Sequence, residues 1–176
     1  MMKTTLKAIR DNRPCADGWA KLLTNLGAKP DDEREVTLLE ILDSNGPFDC
    51  LWAFRCVDGY DREKRLTACY MARCVLPIYE AAYPGDLRPR TAIETAERFA
   101  SGQATADELA VSQAALWAAS EAASWASEAA SWASAASAAS EAASRAALQT
   151  YLRAMLTGAT LPEPYEFWKS PEGGSA

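Results

Sequence analysis

Histidine is absent from this chain of 176 residues. That excludes an ordinary Ser-His-Asp or Cys-His catalytic arrangement and any metal centre built on imidazole nitrogen. A glycine-rich phosphate loop of the Walker or dinucleotide type is missing as well. Long apolar runs are lacking too. No stretch reaches the ~18 consecutive apolar residues of a membrane span, and the first ten residues hold no apolar core long enough for a signal peptide. The five cysteines (Cys15, Cys50, Cys56, Cys69 and Cys74) are odd in number and unevenly spaced. They match neither a disulfide framework nor a set of zinc ligands; Cys50, Cys56, Cys69 and Cys74 read as small buried apolar residues, and the protein as reduced and cytoplasmic. No catalytic residue, cofactor or metal is expected.

Positive charge is also in short supply. The net charge is −6, from 18 basic and 24 acidic residues. Residues 1–102 are nearly balanced, whereas residues 103–156 carry two basic and five acidic groups. The acid excess argues against generic nucleic-acid binding, which needs a basic surface. The carboxylate groups Asp31-Asp32-Glu33-Glu35 and Asp58/Asp61/Glu63 do not have EF-hand spacing. They read as solvated turns or as helix starts favourable to the macrodipole.

What is present is helix signal with clear punctuation. Trp19, Leu22, Leu23 and Leu26 recur at helical spacing, and Gly27 is a suitable stop. A second apolar group, Val36 to Leu42, ends at Asn45-Gly46-Pro47. A third, Phe48 to Val57, ends at Asp58-Gly59. Asp61 opens a fourth helix, which Pro77 should bend or end. Tyr83-Pro84-Gly85-Asp86 is the clearest linker, and Pro89 suits the first turn of the next helix. Thr105 and Glu108 have capping-box spacing. The first half shows no convincing repeat.

Glycine and proline vanish between Ala104 and Leu156. A degenerate alanine-rich heptad fills the middle of that span, and alanine has the highest helix propensity. One uninterrupted helix would be about 50 residues, or roughly 80 Å, long. The expected fold class is therefore all-α, a bundle of short helices in the first half plus a very long Ala/Ser-rich helix. The expected divisions are a short-helix bundle at 1–83, a linker and helix at 84–103, the long helix at 104–156 and an irregular tail at 157–176.

On that helix Trp117, Glu121, Trp125, Glu128 and Trp132 fall in one stripe. Serines form a second stripe, and small alanines a third that permits close helix approach. Two readings of the tryptophans stay open. They pack on the chain's own first half or a symmetric copy, or they contact another protein, where tryptophan is enriched at hot spots. The glutamates between them are expected to pair with Arg55, Arg62, Arg65 or Arg73.

The segment Arg88 to Ala110, RPRTAIETAERFASGQATADELA, followed by an alanine-rich helix, resembles the immunity protein family termed Imm-5-like, in a phage-associated, alanine-rich variant. Arg88, Pro89, Arg90, Ala92, Ile93, Glu94, Ala96, Glu97 and Phe99 carry the resemblance. Upstream, DNRPCADGWAKLLTNLG and CVDGYDREKRL look like the leading half of phage-associated versions. The resemblance implies a non-enzymatic helical protein that binds and neutralises another protein, a toxin or a host defence component, in a bacterial host cell. The motif residues expected to matter are Arg88, Pro89, Arg90, Ile93, Glu94 and Glu97. Two other expectations stand beside it. One is a phage-encoded anti-defence inhibitor of a CRISPR or restriction system. The other is a self-associating structural protein that oligomerises through the long helix. Membrane and nucleic-acid partners are not expected.

Overall fold

The computed structural model describes residues 1–111 and 137–163. The chain forms two compact units. One comprises Met1–Tyr60 with Arg145–Pro162, the other Asp61–Ser144 with Glu163–Ala176.

The first unit is built around two short strands, β1 (Lys3–Thr5) and β2 (Glu35–Thr37). They pair antiparallel with Thr4 opposite Val36. β-Branched residues suit a pleated, half-buried surface, and both central residues are buried. Each strand ends in a threonine that caps the helix after it. Thr5 caps α1 (Leu6–Asp11) by accepting from Ala8 N at 3.0 Å. Thr37 caps α3 (Leu38–Asn45) in a full capping box: Glu40 N donates to Thr37 Oγ1 at 3.1 Å and Thr37 N donates to Glu40 Oε2 at 2.7 Å. The pairing continues past the strands in the same symmetric way. Leu6 N donates to the Arg34 carbonyl at 3.0 Å, and Leu38 N to the Met2 carbonyl at 3.1 Å.

The two strand–helix segments are therefore arranged symmetrically about the ladder. Thr5-Leu6-x-x-Ile9 and Thr37-Leu38-x-x-Ile41 occupy equivalent places, and all four aliphatic side chains are buried. Each segment then adds a second helix, α2 (Ala16–Leu26) after the first and α4 (Pro47–Ala53) after the second. The shared signature, Thr-Leu-x-x-Ile, is five residues long, so the sequence carries no convincing repeat. A 3₁₀ turn, Phe54–Cys56, follows α4. The same unit contains the end of α7 (Ser137–Thr157), whose Leu148, Tyr151, Leu152 and Leu156 are buried at helical spacing. Arg153 of α7 pairs with Asp43 of α3.

The second unit holds α5 (Asp61–Ala82) and α6 (Arg88–Ala100), which pack along one another. α5 continues through Pro77, so the proline interrupts the hydrogen-bond ladder without ending the helix. Cys69, Leu76 and Ile93 form its buried core, with Ala72 and Ala96 against it. α6 begins with Pro89 in its first turn, as read from the sequence. It ends at Gly102, where a φ of 72° lets Gln103 N reach back to the Arg98 carbonyl at 2.7 Å.

Two parts of the expected fold are corrected. The protein is mostly helical but not all-α, because β1 and β2 form a sheet. Val36 heads an apolar group at helical spacing, yet it belongs to a three-residue strand too short to show a period of two. The very long helix is not observed either. The longest helices described are α5, of 22 residues, and α7, of 21. Residues 106–111 are helical, and 112–136 lie outside the described residues. Alanine supplies propensity but little area to bury, and helices in proteins draw most of their stability from packing an apolar face. Among the described side chains of α7, the buried ones are Leu148, Tyr151, Leu152 and Leu156 in its last turns.

The capping box gives a direct check on the strand–helix segment. Thr37→Ala is expected to lower the unfolding free energy by about 1 kcal/mol, and Thr37→Ser to retain most of it. Urea denaturation measures this, and an unchanged midpoint for Thr37→Ala contradicts the capping role.

Candidate functional site

The family-like motif lies on α6, and the structure shows what its side chains do. Arg90 forms a two-point fork with Glu80 of α5, Nε to Oε1 and Nη2 to Oε2, both at 2.7 Å. Glu97 receives an equivalent fork from Arg73 of α5, both bonds at 2.6 Å. Fork-to-fork guanidinium–carboxylate bonds fix direction as well as supplying energy. A third contact stacks the Arg65 guanidinium 4.8 Å from the ring centroid of Phe99. The pairs 80/90, 73/97 and 65/99 run in opposite senses, so the two helices are antiparallel.

Arg88 closes the connection. It bonds Asp86 through Nε at 2.8 Å and Nη2 at 2.6 Å, and its backbone N–H reaches Asp86 Oδ1 at 3.1 Å. The Tyr79 hydroxyl donates to the other Asp86 oxygen at 2.8 Å. These donors, the Arg88 side chain foremost, hold the Asp86 carboxyl well below the usual carboxylate range. Pro89 is buried in the first turn, and Ile93 is in the core.

One motif residue differs from the rest. Glu94 is exposed and makes no hydrogen bond or ion pair among the described residues. It strengthens the field on Arg73 and Arg90 without bonding either. With Leu87, Thr91 and Arg98 it follows helical spacing along the outward face of α6, all four exposed. Arg98 extends that face to Glu108 at 2.9 Å. Glu108 in turn completes the expected capping box with Thr105: Glu108 N donates to Thr105 Oγ1 at 3.2 Å and Thr105 N to Glu108 Oε2 at 2.7 Å.

Trp117, Glu121, Trp125, Glu128 and Trp132 lie outside the described residues. The arginines proposed to meet their glutamates have other contacts. Arg73 and Arg65 bind α6 as above, Arg62 pairs with Glu63 at 3.3 Å, and Arg55 lies over Trp52. The motif's true partners, Arg73, Tyr79, Glu80 and Asp86, were missed by the sequence reading. Arg73 and Glu80 have the motif's opposite charges on the preceding helix, but a pairing at separations of 24 and 10 residues has no local spacing rule.

Of the four cysteines read as buried, Cys50, Cys69 and Cys74 are so, whereas Cys56 is only partly covered. Burial pushes the thiol of Cys50 up to about 12 and that of Cys69 up to about 11. Cys74 is also buried, while Cys15 is exposed. Among the described residues no group of three or more cysteine or carboxylate side chains converges to hold a metal ion, and no helix is long and apolar enough to cross a membrane.

The Arg90 fork predicts how the second unit responds to acid. The Arg90 hydrogen bonds hold the Glu80 carboxyl below its ordinary 4.5. A carboxyl depressed by folding stabilises above its unfolded value and loses that contribution as pH falls through its folded value. Glu80→Gln is therefore expected to flatten part of the stability loss between about pH 5 and pH 3. Urea midpoints across that range measure it, and identical acid slopes for both proteins contradict it.

No curated protein and no solved structure matches the chain. A family model does: that described as "Imm-5 like putative immunity protein" matches residues 60–155. The matched span takes in α5, α6 with its ion-paired motif, and most of α7. It covers more than half of the chain, and the chain belongs to this family.

Proposed function

We propose that the protein is a non-enzymatic, acidic, immunity-type inhibitor that neutralises a toxin or defence protein by direct contact. Family membership supports an immunity-type role and the binding of another protein. The net charge of −6 suits a basic target, because complementary charge steers encounter and suppresses wrong partners.

The observation that carries the reading is the contrast within the motif. Arg88, Arg90 and Glu97 are bonded inside the second unit, and Pro89 and Ile93 are buried there. These residues build a rigid antiparallel helix pair. Glu94 is the charged motif residue left facing outward. A binder needs such a division between groups that hold its shape and groups that meet the target. In this reading Glu94, with the exposed Leu87 beside it, forms one contact patch. Trp117, Glu121, Trp125, Glu128 and Trp132 supply the other.

The test is co-expression with candidate bacterial toxins and effectors, scored by growth and by co-purification. The wild-type chain is expected to restore growth and to co-purify. Glu94→Lys is expected to weaken binding at least about tenfold, since reversing one charge creates a like-charge contact. Its melting temperature should stay near the wild-type value. Undiminished binding by both Glu94→Lys and the Trp125→Ala/Trp132→Ala double variant, or no binding by the wild-type chain, contradicts the proposal.

A further inference from the structure

A cavity of about 90 Å3 opens in the first unit beside the two strand–threonine–helix segments. Ile9 and Ile41, equivalent residues of the two segments, both line it. Trp19 from α2 and Trp52 from α4 line it as well.

Amid this apolar lining lies one carboxylate. Asp49 is half-buried and lines the cavity. Asn45 Nδ2 donates to Asp49 Oδ2 at 2.7 Å and to the Gly18 carbonyl at 2.8 Å. Asn45 Oδ1 accepts from Ser44 Oγ at 2.6 Å. The amide therefore fixes the carboxylate and is itself fully engaged. Asp49 makes no ion pair among the described residues, and its Oδ1 has no hydrogen-bond partner there. The nearby Arg55 guanidinium is 4.9 Å from the Trp52 ring centroid, and its Nε donates to the Trp52 carbonyl. Gly18 makes the arrangement sterically possible. A Cβ at that position would sit 2.9 Å from Asp49 Oδ2.

Asp49 lies in the first turn of α4, where the helix dipole favours a carboxylate, but the described residues place no cationic side chain on it. The indoles of Trp19 and Trp52 line the same cavity, the Trp52 ring already carrying Arg55, and aromatic rings favour a cation over a neutral guest. A cavity of this volume admits a narrow methylene stem with a compact head. We infer that this pocket binds a primary alkylammonium group, the end of a lysine side chain or of a free diamine. The stem lies among Ile9, Ile41 and the indoles, and the ammonium meets Asp49. The site lies outside residues 60–155 and does not depend on the immunity-type reading.

The full chain, labelled with 15N at its six tryptophans, is titrated with n-butylammonium chloride, with n-butanol, and with sodium chloride at matched ionic strength. Trp19→Phe and Trp52→Phe assign the two relevant indole N–H resonances. Saturable shifts of both are expected with n-butylammonium. Binding of n-butanol is expected to be weaker by at least about tenfold, as is n-butylammonium binding to Asp49→Asn. Gly18→Ala, which displaces the carboxylate, should weaken it too. The absence of saturable shifts, equal binding of n-butanol, or unchanged affinity in a folded Asp49→Asn protein overturns the inference. Should Asp49→Asn fail to fold, the comparison of n-butylammonium with n-butanol on the wild-type chain decides alone. A last arm compares Nα-acetyl-lysine methylamide with putrescine. Tighter binding of the first assigns the site to a protein lysine, tighter binding of the second to a free diamine, and no binding of either overturns the inference.

Discussion

The second unit depends on two guanidinium–carboxylate forks, Arg73 with Glu97 and Arg90 with Glu80, which join α5 to α6 alongside a small apolar core. That core is modest: Cys69, Leu76 and Ile93, with two alanines beside them. Shape-matched forks fix the register of α5 against α6, which small apolar side chains specify weakly. The Arg88–Asp86–Tyr79 cluster fixes the connection in the same manner. The bonded motif residues Arg88, Arg90 and Glu97 therefore join parts of this unit, whereas Glu94 faces outward.

The first unit solves the same problem differently. Three-residue strands cannot stand alone, and each instead feeds directly into a helix that its last threonine caps. The pairing continues through Leu6 and Leu38, so strand register and helix start are set together. Two such devices, joined about a short antiparallel ladder, place Ile9 and Ile41 in the lining of one cavity.

Local chemistry was legible in the sequence, and tertiary pairing was not. Gly27 ends α2 in a left-handed conformation, Gly46 separates α3 from α4, Pro89 opens α6, and Thr105 with Glu108 forms its box. Each of these follows from the conformational preference of one or two residues. The sheet was missed because Lys3–Thr5 and Glu35–Thr37 are too short to show alternation, and because Thr5 and Thr37 are at once strand ends and helix caps. The motif residues were picked out correctly on α6, but their roles depended on Arg73, Glu80 and Asp86, whose positions only the packed helices reveal. The long alanine-rich helix was over-read. Propensity marks where a helix is permitted, whereas Leu148, Tyr151, Leu152 and Leu156 mark where one is held.

The central claim, that the motif's charges act by joining α5 to α6, is tested most directly by exchanging one pair. Arg73→Glu and Glu97→Arg, made singly, place like charges together and are each expected to lower the melting temperature. The double variant restores an opposite-charge pair in reversed order and is expected to recover most of that loss. A double variant whose loss equals the sum of the two single losses contradicts the claim, because it shows that the two side chains do not interact.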